Sequence, residues 1–213
     1  MTKYKAVLFD LDGTLLDTSE GIFSTLRKTA EYLNFRELTD AEQKGFIGPP
    51  LPPHMAEVFG LDEEQTADAV VYFRKVYGGG EMYKAAVYDG IPEVLAALKA
   101  QGIKTAAATY KKEDMAISLL GEKGLKFDLI HGADMEGKLT KADIIRMTIA
   151  ELGSTPETTV MVGDSDNDAI GAKAVGAAFI GVTYGFGFAD DSDIEKFENI
   201  GIAHSPNEIM KLI

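Results

Sequence analysis

Short apolar runs recur along the chain, and each one ends at a polar or glycine-containing turn. The first run, KAVLF at 5–9, is followed at once by the acidic turn DLDG. Runs of this length that contain β-branched and aromatic residues are typical of buried strands. Four further runs have a similar character and lie at 104–108, 127–130, 159–162 and 178–182.

Helical patterns occupy the intervals between these runs. The segment 141–152 repeats isoleucine at helical spacing and stops before Gly153, as an amphipathic helix does. The segments 92–100 and 168–175 also stop close to a glycine. Strands that alternate with helices build parallel sheets. We therefore predict an α/β fold, with a Rossmann-like parallel sheet and helices on both of its faces.

The segment 19–84 breaks this alternation, because it shows helical signals and no convincing strand. Asp17 and Thr39 are each followed three residues later by glutamate, a helix-starting pattern. Asp62 opens a further helix, which the glycines at 78–80 end. A loop of this length without structure of its own would be unusual. We predict two domains: an α/β core over 1–15 and 86–213, and a small all-helical domain over 16–85.

The composition narrows the possible functions. The chain has 213 residues, and 46% of them are apolar, so a packed core is expected. The formal charge of −13 disfavours nucleic acid polymers and anionic membranes as partners. The absence of cysteine excludes disulfides, cysteine nucleophiles and thiolate zinc sites. Because no bilayer-spanning run and no signal-peptide core are visible, we expect a cytoplasmic protein. We also expect a monomer or a weak homo-oligomer.

Reactive side chains follow three of the five predicted strands. Asp10 and Asp12 come after the first strand, the sequence TYK at 109–111 after the second, and Asp164 after the fourth. In open parallel sheets, ligands bind beyond the carboxyl ends of the strands. Carboxylates that lie close together repel each other, and a divalent cation relieves this repulsion. Oxygen ligands without cysteine or clustered histidine favour Mg²⁺ over zinc.

Two motifs resemble those of a known family. DLDGTLLD at 10–17 resembles motif I of the haloacid dehalogenase superfamily of phosphatases, and GDSDND at 163–168 resembles its motif IV. The resemblance covers nearly the whole chain, and the helical insertion looks like the C1-type cap of the phosphoglycolate phosphatase-like branch. FIGPPL at 46–51 and IGVTYGFG at 180–187 are similar to a 5′-nucleotidase-like subgroup.

The resemblance implies roles for four aspartates. Asp10 would be the nucleophile that forms an aspartyl-phosphate, and Asp12 the general acid and then the general base. Mg²⁺ would be held by the carboxylates of Asp10 and Asp164 and the backbone carbonyl of Asp12. Asp168 would orient metal-bound waters or the catalytic lysine. The alternative for Asp168 is an N-cap of the following helix.

Donors for the phosphate oxygens are also implied. Thr109 matches motif II, and its hydroxyl and the Tyr110 backbone N–H would bind substrate. Family members usually have Asn or Ser where Tyr110 stands. Lys141 fits the catalytic and substrate-binding lysine of motif III, and Lys138 is an alternative.

Together these features predict a Mg²⁺-dependent phosphomonoesterase that acts on a small phosphorylated metabolite, phosphoglycolate or a nucleoside 5′-monophosphate, with a slight preference for the nucleotide. A phosphomutase of the same fold and a non-enzymatic phosphate-binding regulatory domain stay open as alternatives, whereas Asp12 argues against a dehalogenase. His54, Arg74 and Lys75 could contact substrate or lie on the surface. The glycines at 181–187 do not open the first βα unit, so they are no dinucleotide fingerprint.

Overall fold

The computed structural model describes residues 3–134 and 138–213. The chain divides into two compact units, which we name the core unit and the helical unit. The core unit comprises Met1–Leu16 and Val87–Ile213, and the helical unit comprises Asp17–Ala86. These boundaries lie one residue from those expected from the sequence.

The core unit contains a six-stranded parallel sheet in the order β5-β4-β1-β6-β7-β8. Two very short strands, β2 and β3, pair in a separate sheet. The α/β prediction is therefore confirmed. In chain order the strands are β1 (Ala6–Phe9), β2 (Leu16–Asp17), β3 (Ala86–Val87), β4 (Lys104–Lys112), β5 (Leu129–Ala133), β6 (Thr159–Gly163), β7 (Ala178–Val182) and β8 (Gly201–Ala203).

Three differences from the predicted strands have local causes. The third predicted strand, 127–130, is displaced to Leu129–Ala133. The Asp128 N–H donates to the Thr105 carbonyl, and the Thr105 N–H donates to the Asp128 carboxylate, so the strand begins only after Asp128. The strand β8 was not predicted, because three residues are too few for a hydrophobic pattern. Strand β4 continues four residues beyond the predicted end, since the polar sequence TYKK still pairs with β5 after a shift of register.

Helices connect the strands of the core unit, and one of them begins two residues earlier than predicted. The helix α8 starts at Asp166 and not at 168, because Ser165 is its N-cap. The helices of this unit are α5 (Ile91–Ala100), α6 (Glu113–Glu122), α7 (Lys141–Glu151), α8 (Asp166–Val175), α9 (Asp191–Ile194) and α10 (Pro206–Ile209). Isoleucines of α7 pack with fully buried side chains of β1, β4 and β6 in one apolar cluster, so the helix is fixed against the centre of the sheet.

The helical unit consists of α1 (Ser19–Tyr32), α2 (Asp40–Gly45), α3 (Leu51–Phe59), α4 (Glu63–Gly78) and a 3₁₀ turn at Glu81–Lys84. The helix starts predicted at Thr39 and Asp62 are confirmed, and both residues form capping boxes. The start predicted at Asp17 is wrong: Thr18 is the N-cap of α1, and the Asp17 carboxylate accepts hydrogen bonds from Ser19. The proline-rich helix α3 was not predicted.

Among the described residues, no helix combines the length and the apolar character needed to cross a membrane.

Candidate active site

The central strand β1 and its neighbours β4 and β6 carry the candidate site at their carboxyl ends. Asp10 directly follows β1, and its backbone N–H donates to the Val162 carbonyl of β6 over 2.9 Å. Asp164 directly follows β6, and Thr109 lies in the last part of β4. The strand order places these three positions on adjacent strands, where α/β sheets bind ligands.

Lys141 joins two of the aspartates. Its ammonium lies 2.5 Å from Asp10 Oδ1 and 2.7 Å from Asp168 Oδ1, and its side chain is 4% exposed. The residue begins α7, and a Cβ at Gly171 of α8 would lie only 2.9 Å from the lysine stem. Glycine at that position therefore leaves the space through which Lys141 reaches the sheet edge. Lys138, the alternative lysine, is exposed.

Burial and neighbouring carboxylates raise the pKa of Asp10 and of Asp164. Burial, opposed by Lys141 and reinforced by Asp168 and Asp12, raises the pKa of Asp10 to about 6. Burial, with the charges of Asp168 and Asp10, raises the pKa of Asp164 to about 8. Burial works against the charged form of Lys141, but Asp10 and Asp168 outweigh it and raise its pKa. The single positive charge of Lys141 therefore does not neutralise all the carboxylates around it.

The donor chemistry of this cluster fits a hard divalent cation. Asp10, Asp164 and Asp168 are buried, and each offers a carboxylate oxygen within 4.8 Å of the others. Oxygen-only ligands suit Mg²⁺. Asp168 has the least free capacity of the three, because Oδ1 contacts Lys141 and Oδ2 accepts from the Ser165 N–H and hydroxyl.

The alternative that Asp168 is the N-cap of α8 is wrong, because Ser165 occupies that position, but Asp168 still contributes to the start of the helix. It is the third residue of α8 and completes the capping box with Ser165, which is itself the N-cap. Its second oxygen holds Lys141. The expectation that Asp168 orients the lysine agrees with this geometry, and its role in catalysis stays a prediction.

A glycine-rich segment supports Asp164, and the sequence analysis missed this function. The backbone N–H groups of Phe186 and Gly187 donate to Asp164 Oδ2 over 2.8 and 3.2 Å. A Cβ at Gly185 would overlap both the Asp164 side chain and the carbonyl of Gly13, whose own φ is +86°. The signal was the G-x-G spacing after a strand that ends at the same sheet edge.

Asp12 pairs with a lysine to which the sequence analysis gave no role. Lys111 Nζ lies 3.1 Å from Asp12 Oδ1, and the two side chains are 7% and 13% exposed. Asp12 is not among the described carboxylates that could share a metal ion, and its predicted contribution as a ligand was its backbone carbonyl.

The end of β4 has an irregular backbone. Its register with β5 shifts between Ala108 and Lys112, and such irregularities re-aim side chains near active sites. The Thr109 hydroxyl accepts from the Lys111 N–H over 3.2 Å, which leaves its own hydrogen available for a phosphate oxygen. The Tyr110 side chain points to α7, where its hydroxyl accepts from the Lys141 N–H.

The remaining candidates lie in the helical unit. The His54 ring packs edge-on against Phe46, with ring centroids 4.6 Å apart, and its Nδ1 is 3.9 Å from Glu57 Oε2. Arg74 is half-buried and Lys75 exposed on α4. Contacts of these residues with substrate stay predictions.

Comparison with known proteins identifies the family. The sequence model described as Haloacid dehalogenase-like hydrolase matches residues 7–182, so the chain belongs to the haloacid dehalogenase-like hydrolases. The resemblance inferred from the sequence is thereby confirmed. A haloacid dehalogenase-like hydrolase from Streptococcus pneumoniae has a similar structure, with a TM-score of 0.90, 30% identity and 99% coverage of both chains.

Curated relatives narrow the class of enzyme. A 5′-nucleotidase of Pseudomonas aeruginosa is 36% identical over 192 residues, covering 89% of this chain and 87% of the relative. The tyrosine-protein kinase PtkA of Mycobacterium tuberculosis is 34% identical, with 93% and 68% coverage. A phosphoglycolate phosphatase of Neisseria meningitidis is 32% identical, with 86% and 82% coverage. The family, together with the 5′-nucleotidase and the phosphoglycolate phosphatase among these relatives, supports the assignment of the chain as a phosphatase.

Proposed function

We propose that this phosphatase hydrolyses phosphate monoesters of small metabolites with Mg²⁺, through an aspartyl-phosphate on Asp10. The observation that carries the proposal is the Lys141 ammonium held between Asp10 and Asp168 at the edge where Asp164 also lies. A nucleophile beside a buried cation, with a further carboxylate directly after the neighbouring strand β6, suits phosphoryl transfer better than binding alone.

In the first step the Asp10 carboxylate attacks phosphorus, and the bond between phosphorus and the leaving oxygen breaks. Lys141 and the Thr109 hydroxyl donate to the phosphoryl oxygens, where charge is concentrated. Asp12, two residues after the nucleophile, gives its proton to the leaving alcohol. The products of this step are the free alcohol and phosphorylated Asp10.

In the second step water attacks the phosphorus of the aspartyl-phosphate. Asp12, now a carboxylate, removes the proton from that water. Inorganic phosphate leaves, Asp10 returns as a carboxylate, and Asp12 is protonated for the next cycle. Lys111, whose ammonium lies 3.1 Å from Asp12 Oδ1, holds the Asp12 side chain in place during both steps.

The metal belongs to the proposal as well. Asp10, Asp164 and the Asp12 carbonyl would hold Mg²⁺, whose charge offsets the repulsion between Asp10 and the substrate phosphate. Support comes from the three buried carboxylates that lie close together, of which Asp10 and Asp164 have a raised pKa.

We assign the reaction to the core unit and the choice of substrate to the helical unit, as a cap. The charge of −13 disfavours a polyanionic substrate at long range. The relatives named 5′-nucleotidase and phosphoglycolate phosphatase support a small substrate. Between a nucleoside 5′-monophosphate and phosphoglycolate, we favour the nucleotide.

The test is release of inorganic phosphate from a panel of esters with Mg²⁺: nucleoside 5′-monophosphates, phosphoglycolate, sugar phosphates and a phosphotyrosyl peptide. We expect turnover of a small ester that Asp10→Asn abolishes. Isomerised sugar phosphate without phosphate release would indicate a phosphomutase instead. A peptide preferred at least tenfold in kcat/KM would contradict the small-substrate assignment.

A further inference from the structure

We infer that Tyr110 is a positioning residue for Lys141, and that its hydroxyl and its ring act on that lysine at two different points. This inference rests on the proposed function of Lys141 in phosphoryl transfer. It adds a side-chain function to the expectation that the Tyr110 backbone N–H binds substrate.

The first contact fixes the backbone of Lys141. Lys141 is the first residue of α7, so its N–H has no partner inside the helix. The Tyr110 hydroxyl accepts from this N–H over 2.8 Å. The Thr140 hydroxyl accepts from the Asp143 N–H in the same first turn. Tyr110 therefore caps the start of helix α7 with a side chain from the end of strand β4.

The second contact acts on the charged end of the same lysine. Lys141 Nζ lies 5.5 Å from the centroid of the Tyr110 ring, within the range of a cation–π interaction. The ring is itself held, because it packs against the apolar cluster that contains Ile144 and Ile145 of α7. One side chain thus restrains both ends of Lys141.

Such a restraint matters because the ammonium must serve two partners at once. It lies 2.5 Å from Asp10 and 2.7 Å from Asp168, so a small shift of the backbone would lengthen one contact or both. Catalytic groups lose much of their effect when they are misplaced by about 1 Å.

Local backbone geometry brings Tyr110 into reach. Residue 110 lies within the shift of register between β4 and β5, where an irregular strand can turn a side chain away from its ordinary direction. The tyrosine side chain is long enough to reach the first turn of α7 from the end of β4.

The test is a double-mutant cycle. Tyr110→Phe removes the hydroxyl and keeps the ring, and Tyr110→Leu removes both contacts. Turnover of p-nitrophenyl phosphate is measured for each in the wild-type and in the Lys141→Met background. Tyr32→Phe is the matched control, because its exposed hydroxyl bonds Asp68 in the helical unit.

We expect Tyr110→Phe to lower kcat roughly tenfold, Tyr110→Leu to lower it further, and Tyr32→Phe to leave it unchanged. The Mg²⁺ concentration for half-maximal activity should not change. In the Lys141→Met background neither Tyr110 substitution should have a further effect, since residues that act through one another are not additive. Equal losses in both backgrounds, or wild-type kcat for Tyr110→Phe, would overturn the inference.

A second measurement does not depend on turnover. Competitive acetylation followed by peptide mass spectrometry gives the reactivity of each lysine. We expect faster acetylation of Lys141 in Tyr110→Leu and no change at Lys75. Unchanged reactivity of Lys141 would overturn the inference. If the wild-type protein hydrolyses no ester, the proposed function fails. The labelling result alone then tests whether Tyr110 positions Lys141.

Discussion

Substitution of Asp168 by asparagine separates its two functions. The side chain is fully buried, with one oxygen 2.7 Å from the Lys141 ammonium and the other accepting from Ser165. Asparagine keeps the shape, and its carbonyl oxygen can still accept the Ser165 hydrogen bonds. What it removes is the negative charge beside Lys141.

The loss of stability should be moderate. Removing one partner of a buried ion pair costs about 3–5 kcal/mol when the other charge is left alone. Lys141 retains Asp10 at 2.5 Å, and the repulsion that Asp168 exerts on Asp10 and Asp164 is relieved. We therefore expect a decrease of about 2 kcal/mol in the free energy of unfolding, near the value of a charge-assisted hydrogen bond.

Activity should fall more than stability suggests. Partners that orient a catalytic group typically contribute about 10- to 100-fold, so kcat of Asp168→Asn should decrease by that factor. Urea unfolding and steady-state turnover give the two numbers. The matched control is Asp143→Asn, because Asp143 completes the same kind of capping box on α7 without contacting Lys141.

Comparison with Asp143→Asn distinguishes the loss of helix capping from the loss of the contact with Lys141. Asp143→Asn should lose stability by at most about 1 kcal/mol and keep wild-type kcat. If Asp168→Asn also kept wild-type kcat, the argument that Asp168 orients Lys141 for catalysis would be refuted.

Further predictions concern the nucleophile, the metal, the second lysine and pH. Asp10→Asn should leave the fold intact and abolish turnover, and more than about a tenth of wild-type kcat would contradict its role as nucleophile. Excess EDTA should abolish activity, and Asp164→Ala should raise the Mg²⁺ concentration for half-maximal activity; full activity in EDTA would exclude the metal. Lys111→Met should lower kcat, because Lys111 contacts Asp12 and holds it in place; wild-type kcat would show that Lys111 does not act on Asp12. Because the pKa values of Asp10 and Asp164 are raised to about 6 and about 8, the folded metal-free protein binds more protons than the unfolded chain. Its stability should therefore fall as pH rises through these values. Mg²⁺ should then raise Tm more at pH 8 than at pH 5, and equal shifts would contradict this.

Local sequence signals predicted much of the fold. The helix starts at Thr39 and Asp62 were predicted from local residues, and each capping box joins residues only three positions apart. The four residues of β1 are fully buried, and a continuous apolar run indicates such a strand. The three-residue strand β8 lacks any comparable pattern.

Only the part of the site that lies at strand ends could be predicted, because strand ends are recognisable in the local sequence. Asp10, Thr109 and Asp164 follow strands that the pattern identifies, and parallel strands bring such ends to one edge. The contacts that orient them are not local. The Tyr110 hydroxyl and the Lys141 N–H are 31 residues apart, and Asp164 and the Phe186 N–H are 22 apart. No spacing rule in a single sequence connects such pairs.

The central claim is that the phosphoryl group passes through Asp10. The most direct measurement is acid quenching of the enzyme during turnover, followed by mass spectrometry of its peptides. We predict the added mass of one phosphoryl group on the peptide that contains Asp10, and its absence in Asp10→Asn. Turnover that proceeds with no phosphorylated residue, or with the phosphoryl group on another residue, would contradict the account.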